Sequence, residues 1–282
     1  MTFLVTGATG NVGRHVVNAL VAGGRPVRAL TRSPETARLP GGAAVVRGDH
    51  SDPAVLDEAL DGVDGVFLVW PFPSTAPVPA VVDTIARHAR RVVLLSSLAV
   101  RDDVEEQTDP IGALHAALER PIERSALEWT FLRPGGFAVN TLAWAPEIRA
   151  SGTVSDAFGE AAMPLIHEAD IAAVAVRALT EDGHAGEKYT LTGADVMTQA
   201  DFARIIGETI ARPVHWQEIP RETARQRKIA QGLPPDIADV ILDGYEAMVK
   251  TPASTTTTVE DLTGTRPRPF QEWARDHTGS FT

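Results

Sequence analysis

The 282-residue chain is 44% hydrophobic and 22% charged, with a formal net charge of −11 and no cysteine; these proportions are typical of a globular protein with a full core. The acidic balance argues against non-specific nucleic-acid binding, which needs basic surface, and no apolar run approaches the roughly 20 residues that cross a bilayer. Without cysteine there is no disulfide and no thiolate for catalysis or metal binding, and with no recognisable signal peptide we expect a cytoplasmic protein.

The N-terminal segment predicts a strand, a glycine-rich turn and a helix in immediate succession. Phe3-Leu4-Val5 is a short apolar run, and an amphipathic pattern begins at Val12. Glycines in such a turn let the backbone approach phosphates, and the unpaired N–H groups of the helix N-terminus attract their charge. The turn therefore predicts the pyrophosphate site of a dinucleotide, to which we assign Gly7, Thr9, Gly10, Asn11, Val12 and Gly13.

The second predicted strand, residues 25–31, ends at Arg32. Enzymes that use NAD usually have an acidic residue here for the ribose 2′-hydroxyl, whereas an arginine pairs with the 2′-phosphate of NADP. Arg32 therefore indicates NADP(H) as the cofactor, with a solvated arginine at a strand end as the alternative.

Three further predicted strands end in residues suited to a ligand site. They are the third, fourth and fifth predicted strands, over residues 44–50, 66–70 and 92–97, and a proline-rich loop follows residue 70. Ligands of doubly wound sheets bind outside the carboxyl ends of the strands. We therefore expect Phe72 at the substrate, and at the cofactor Asp49, His50, Val69, Trp70, Pro71, Ser96 and Ser97. For Trp70, simple core packing is the alternative.

The next helix, around residues 114–123, lacks the Tyr-x-x-x-Lys pair that short-chain dehydrogenases use for proton transfer. The only tyrosines are Tyr189 and Tyr245, and neither has lysine four residues later. The helix contains His115 and, one turn later, Glu119, and Pro121 predicts a kink or break. An imidazole can donate a proton near neutral pH, so His115 is the candidate catalytic residue, with an ordinary surface histidine as the alternative.

Three stretches resemble the NmrA-like branch of the atypical short-chain dehydrogenase/reductases, which includes type 2 NAD(P)H:quinone oxidoreductases and triphenylmethane reductases. They are the turn Thr6-Gly-Ala-Thr-Gly-Asn-Val-Gly13, the His-x-x-x-Glu pattern at His115, and the run from Ser125 to Asn140. The resemblance covers nearly the whole chain and is poor over residues 71–80 and 220–250. It implies that the carboxylate of Asp49 accepts a hydrogen bond from the adenine amine, and that Pro134 ends a sixth strand at the cofactor.

The predicted fold is therefore α/β: a Rossmann-type, doubly wound parallel sheet with a smaller, mostly helical substrate-side region toward the C-terminus. We expect the NADP-binding domain to comprise residues 1–133 and about 165–193, and the substrate-binding region about 134–164 and 194–282. Large apolar side chains in the latter, notably Phe137 and Trp144, suggest a pocket for a flat organic molecule.

Two functional hypotheses remain. The first is an NADPH-dependent oxidoreductase that transfers hydride to a quinone-like or other conjugated small molecule, because such an acceptor needs no strong proton donor. The second is a non-catalytic NADP(H)-binding redox sensor that acts through a protein partner. A metal site is unsupported, since no two histidines are spaced i, i+4.

Overall fold

The computed structural model describes residues 1–282. The strands are β1 (Phe3–Val5), β2 (Val27–Thr31), β3 (Ala43–Arg47), β4 (Gly65–Leu68), β5 (Arg91–Leu95), β6 (Glu128–Pro134), β7 (Thr153–Asp156), β8 (Ala162–Met163), β9 (Glu187–Leu191), β10 (Met197–Thr198) and β11 (His215–Glu218). The α-helices are α1 (Gly13–Ala22), α2 (Pro53–Ala59), α3 (Val78–His88), α4 (Pro110–Glu123), α5 (Ala145–Ser151), α6 (Glu168–Thr180), α7 (Gln199–Thr209), α8 (Arg221–Ala230), α9 (Pro235–Lys250), α10 (Thr258–Thr263), α11 (Phe270–Asp276) and α12 (Thr278–Phe281). Short 3₁₀ helices cover Pro34–Thr36 and Ala138–Trp144.

The chain divides into two compact units. The first comprises Met1–Pro134, Glu168–Leu191 and Thr258–Gly264, and the second comprises Gly135–His167, Thr192–Thr257 and Thr265–Thr282. The segment Thr258–Gly264, which the sequence-based boundaries assigned to the smaller region, therefore belongs to the first unit, because α10 contacts α6 and β9.

The first unit is built on a seven-stranded sheet in the order β3-β2-β1-β4-β5-β6-β9, and every neighbouring pair in it is parallel. The strand order reverses between β1 and β4, and such a switch point is where open α/β sheets bind ligands. This is the predicted doubly wound α/β sheet. Its last strand, β9, comes from the later part of the chain and pairs with β6.

Two helices begin at capping side chains. The Asp52 carboxylate accepts a hydrogen bond from the backbone N–H of Ala54, with proline at the first position of α2. Thr198 and Asp201 form a capping box at the start of α7. Each cap satisfies N–H groups that the helix itself leaves unpaired. The sequence predicted a kink or break at Pro121, but α4 continues through this residue, which lies in its last turn, and ends at Glu123.

The core of the first unit lies between the sheet and its helices. Leu4, Leu68, Leu94 and Phe131 come from the strands, and Ile85 of α3 packs with them; all five are at most 1% exposed. Burial on both faces explains why these strands are almost wholly apolar instead of alternating.

The second unit has a core of its own. The ring of Phe202 of α7 packs at a tilt against Phe270, which in turn stacks on Trp273 of α11. Two small sheets complete the unit, an antiparallel pair of β8 and β10 and a parallel pair of β7 and β11. No helix of either unit is long and apolar enough to cross a membrane.

Candidate functional site

The glycine turn lies between β1 and the N-terminus of α1. Gly7 has a φ of +57°, which favours glycine. A Cβ at Gly13 would overlap the carbonyl oxygen of Gly7, whereas one at Gly10 would meet only that oxygen, at 3.1 Å. Gly13 is therefore required for packing of the turn. Gly10, together with the exposed Thr9 and Asn11, presents an open backbone surface.

Helix α1 begins without a capping side chain. Val12 is its N-cap, no side chain accepts a hydrogen bond there, and the first turn contains no acidic residue. The N–H groups of a first helical turn lack intrahelical partners and carry the positive end of the helix dipole. This end of α1 thus suits the negative charge of a pyrophosphate.

Thr6 ties the turn to the switch point of the sheet. Its hydroxyl accepts a hydrogen bond from the backbone N–H of Val69 at 2.8 Å and donates to the carbonyl of Phe67 at 3.2 Å. These bonds join the end of β1 to the end of β4, so predicted cofactor residues from Gly7 to Val69 lie together. The sequence analysis did not single out Thr6, because a hydroxyl directly after a buried strand has no distinctive pattern.

Arg32 follows β2 and is exposed. Its guanidinium forms no ion pair, although Asp49 and His50 lie close enough for their charges to interact with it. The neighbouring Arg47 differs, since it pairs with Glu35 at 2.6 Å and donates to the backbone carbonyl of Arg32 at 3.1 Å. Of the two cations, Arg32 is the one whose charge remains available to a ligand.

Asp49 and His50 end the β3 segment in contrasting environments. Burial by itself raises the pKa of Asp49, but hydrogen bonds from the backbone and hydroxyl of Ser51, aided by Arg32, lower it overall. Burial lowers the pKa of His50, and its Nε2 has no hydrogen-bond partner. The carboxylate is therefore ionised and the imidazole neutral at physiological pH.

The side chain of Trp70 packs in the core. It is 5% exposed, its indole N–H donates to the carbonyl of Ser74 at 3.0 Å, and its ring packs edge-on against His50 and the half-buried Phe72. Only the backbone of Trp70 remains at the strand end, where the exposed Pro71 follows.

A buried carboxylate links β5, β6 and α4. The hydroxyl of Ser96 donates to Glu119 at 2.5 Å, and Arg133 donates to both oxygens of the same carboxylate at 3.0 and 2.6 Å. The three residues are only 4%, 3% and 6% exposed, respectively. Ser96 and Arg133 lie at the carboxyl ends of β5 and β6, the two strands that follow β4 in the order of the sheet, and Glu119 reaches them from α4.

The ion network continues to the surface through Asp102. This carboxylate accepts two hydrogen bonds from Arg133, at 2.6 and 2.9 Å, and one from Lys188 at 2.8 Å. The hydrogen bonds from Arg133 lower the pKa of Asp102 strongly. The sequence analysis did not identify this network, because its members lie far apart in the chain and only folding brings them together.

His115 lies in the second turn of α4 and is half-buried. Its Nδ1 has no hydrogen-bond partner. Burial lowers its pKa, and the negative charge of Glu119 opposes the shift only in part. Glu119 makes no hydrogen bond to His115, so the one-turn spacing that suggested it could orient the ring does not produce that contact.

The remaining predicted residues fall into both units. In the first, Ser97 is half-buried and its hydroxyl oxygen accepts a hydrogen bond from Ala99, while the carbonyl of Pro134 accepts one from Leu98. In the second, Phe137 and Trp144 are partly buried against the core, and Trp144 packs edge-on against Trp216 at 5.8 Å.

The features of the first unit alone therefore fit a bound NAD(P)H. An uncapped helix follows a turn in which a Cβ at Gly10 would meet a single atom, the carbonyl oxygen of Gly7, and a guanidinium without an ion pair, that of Arg32, lies at the carboxyl edge of the same sheet. When bound, the dinucleotide would supply a hydride. The residues of the chain would bind and orient the dinucleotide and would control proton transfer.

Comparison with known proteins agrees with this geometry. The model of a family described as NAD(P)H-binding matches residues 7–182. A reductase of Streptomyces griseus subsp. griseus, named (4-alkanoyl-5-oxo-2,5-dihydrofuran-3-yl)methyl phosphate reductase, is 40% identical, covering 99% of this chain and 98% of its own. An NAD(P)H azoreductase of Xenophilus azovorans is 34% identical, with the same two coverages.

A solved structure extends the similarity to the fold. The NADPH complex of an NADPH-dependent quinone oxidoreductase from Escherichia coli matches with a TM-score of 0.79 and 25% identity, covering 97% of this chain and 99% of that one. The match spans both units of the chain.

Proposed function

Because the chain belongs to the NAD(P)H-binding family and, within it, to the NmrA-like atypical short-chain dehydrogenase/reductases, we propose that it transfers hydride from NADPH to an electron-poor conjugated compound. It is an NAD(P)H-dependent oxidoreductase, as are the named reductases that match nearly its whole length. The finer statements, NADPH as the preferred reductant and a quinone-like acceptor, are our proposal.

Arg32 supports the preference for NADPH. Its guanidinium is exposed and has no partner in the protein, and a fork of N–H donors suits the oxygens of a 2′-phosphate. NADH has no phosphate at this position and offers the guanidinium only hydroxyls. The first unit is accordingly proposed as the NADP-binding domain, and the second, with Phe137 and Trp144, as the substrate-binding region.

One observation supports the proposed substrate class. The helix that would hold the tyrosine and lysine of the Tyr-x-x-x-Lys pair contains His115 instead. Burial lowers the pKa of His115, so its protonated fraction is small at neutral pH. Lys188 is engaged by Asp102 and Glu123. Reduction of a plain ketone needs a donor for the alkoxide that develops, whereas a conjugated acceptor delocalises the charge and can be protonated by His115 or by water.

The names of the relatives support the same class. A quinone, an azo compound and a dihydrofuranone that carries an alkanoyl group all accept hydride into a conjugated system. The partner we propose for this chain is therefore a flat small molecule with an activated double bond.

The test is NADPH oxidation followed by absorbance with a panel of quinones, azo dyes, acyl-substituted unsaturated lactones and, as the control class, saturated ketones. We expect turnover with at least one conjugated class and none with the ketones. Turnover of ketones alone would contradict the proposal. Tight NADPH binding with no oxidation across the panel would instead favour the redox sensor, and a search for a protein partner would follow.

A further inference from the structure

Ser96 and Ser97 are neighbours with opposite hydrogen-bonding roles. The Ser96 hydroxyl donates its only proton to Glu119 at 2.5 Å. The Ser97 oxygen instead accepts from the backbone N–H of Ala99 at 3.2 Å, which leaves its proton free. A hydroxyl has one proton and two lone pairs, so the direction of these bonds decides what each serine can offer a ligand.

Arg133 keeps the role of Ser96 fixed. Its guanidinium, which is always charged, holds both oxygens of Glu119. A carboxylate held in this way has no proton to give, so the hydroxyl of Ser96 must be the donor. The Ser96 lone pairs remain, and no group of the chain donates to that oxygen although the residue is only 4% exposed.

We propose that Glu119 is a positioning residue that fixes Ser96 as a hydrogen-bond acceptor, and that Ser96 accepts from the carboxamide amino group of the nicotinamide. Ser96 directly follows β5, next to β4 at the switch point, and ligands of doubly wound sheets bind at this edge. A buried acceptor calls for a ligand donor, and NAD(P)H carries two amino groups. The adenine amine is assigned to Asp49 beyond β3, at the other side of the switch point, which leaves the carboxamide for Ser96.

This assignment excludes another role for Ser96, that of a donor to the carbonyl of a substrate. A serine that polarises a substrate carbonyl must donate a proton, and the proton of Ser96 is already held by Glu119. The inference concerns the cofactor alone, so it does not depend on which substrate is reduced.

A cofactor analogue tests it without measuring turnover. In the 3-acetylpyridine analogue of NADP a methyl group replaces the amino group, which removes the N–H donor and keeps the carbonyl. We would measure the dissociation constants of NADP and this analogue by calorimetry for wild type, Ser96→Ala, Glu119→Gln and the control Glu123→Gln. Glu123 lies one turn after Glu119 on α4, pairs with Lys188 at 2.8 Å and does not contact Ser96.

We expect Ser96→Ala to weaken NADP binding about 3- to 10-fold, the range for one hydrogen bond, and to leave the analogue's affinity unchanged. In Glu119→Gln the amide of the glutamine can donate a hydrogen bond to the Ser96 oxygen, which occupies a lone pair and frees the Ser96 proton. Ser96 then no longer acts only as an acceptor, so the preference for NADP over the analogue should also fall. Glu123→Gln should keep the wild-type preference.

Equal losses for the two ligands in Ser96→Ala would overturn the proposal, and so would a larger loss for the analogue, which would make Ser96 a donor to the carbonyl. If Glu119→Gln does not fold, Ser96→Ala still decides, because Glu119 retains both bonds to Arg133 in that variant.

Discussion

Arg32 and Arg133 lie at the same edge of one sheet but in regions of opposite character. Around β1, β2 and the glycine turn, the backbone is open, the helix is uncapped and Arg32 has no partner. Around β5, β6 and α4, Arg133 is 6% exposed and its guanidinium is held by Glu119 and Asp102. In the first region the charge of Arg32 has no ion-pair partner in the protein, whereas in the second the charge of Arg133 is paired with carboxylates of the protein.

This difference indicates how each arginine contributes. A charge with an intramolecular partner stabilises the fold and fixes its neighbours, while a charge without one is available for a ligand. Substituting Arg133 should therefore change stability, and substituting Arg32 should change cofactor affinity. Each of the following predictions sharpens this contrast or would remove it.

The largest expected effect is on the stability of Arg133→Ala. Removing the guanidinium leaves the carboxylate of Glu119 buried without its cation, and breaking a buried pair in this way typically costs about 3–5 kcal/mol. Urea denaturation should show a loss of this size in the free energy of unfolding.

The matched control replaces both charges, as Glu119→Leu with Arg133→Met. No charge is then buried alone, so the double variant should be more stable than Arg133→Ala. A double variant less stable than the single one would mean that Arg133 stabilises by packing and not by pairing with Glu119.

A smaller effect is expected from Gly10→Val. The valine Cβ meets one backbone atom, the carbonyl oxygen of Gly7 at 3.1 Å, which needs only a small local adjustment, while the side chain occupies the surface where a pyrophosphate would approach. The fold should therefore persist and NADPH binding should be lost. At a ligand concentration 100 times its dissociation constant, NADPH should stabilise wild type by about 2.7 kcal/mol and the variant not at all.

Gly41→Val is the control, because a Cβ there meets nothing within 4 Å and the residue lies in an exposed loop. It should keep the full NADPH-dependent rise in melting temperature. Persistence of that rise in Gly10→Val would place the phosphate site elsewhere.

The smallest effect concerns His115 and pH. Because burial lowers its pKa below the usual 6.5, a proton donated by His115 would raise turnover at acidic pH, and this contribution would disappear as pH increases through the lowered pKa. In His115→Gln we expect turnover to fall by roughly ten- to a hundredfold at the acidic end, at or below the bottom of the usual general-acid range because water can substitute, and to be almost independent of pH. An unchanged pH profile would remove His115 from proton transfer and leave water as the donor.

The sequence predicted those parts of the fold that depend on neighbouring residues. The glycine turn, the caps of α2 and α7 and the apolar strands each arise from a local pattern, so their places could be inferred before any contact was known. The parallel, doubly wound character of the sheet follows from the same succession of strands and helices.

What the sequence could not indicate depends on distant pairs. Asp102 has no neighbour in sequence that indicates its partners, and only folding brings it to Arg133 and Lys188. Glu119 follows His115 by one turn of α4, yet it bonds to Ser96, which follows β5, and to Arg133 of β6. Arg32 and Arg133 both end or follow strands, and no local pattern distinguishes the free one from the paired one.

The central claim is that Arg32, in the open region of the first unit, binds the 2′-phosphate of NADPH. The most direct test is a titration of NADPH and NADH into wild type, Arg32→Ala and Arg47→Ala. The account predicts that Arg32→Ala loses about 1.5–3 kcal/mol of NADPH affinity, as expected for a hydrogen bond to a charged group, while NADH binding hardly changes. Arg47→Ala, whose guanidinium is occupied by Glu35, should keep the preference for NADPH. Equal losses for NADPH and NADH in Arg32→Ala would contradict the account.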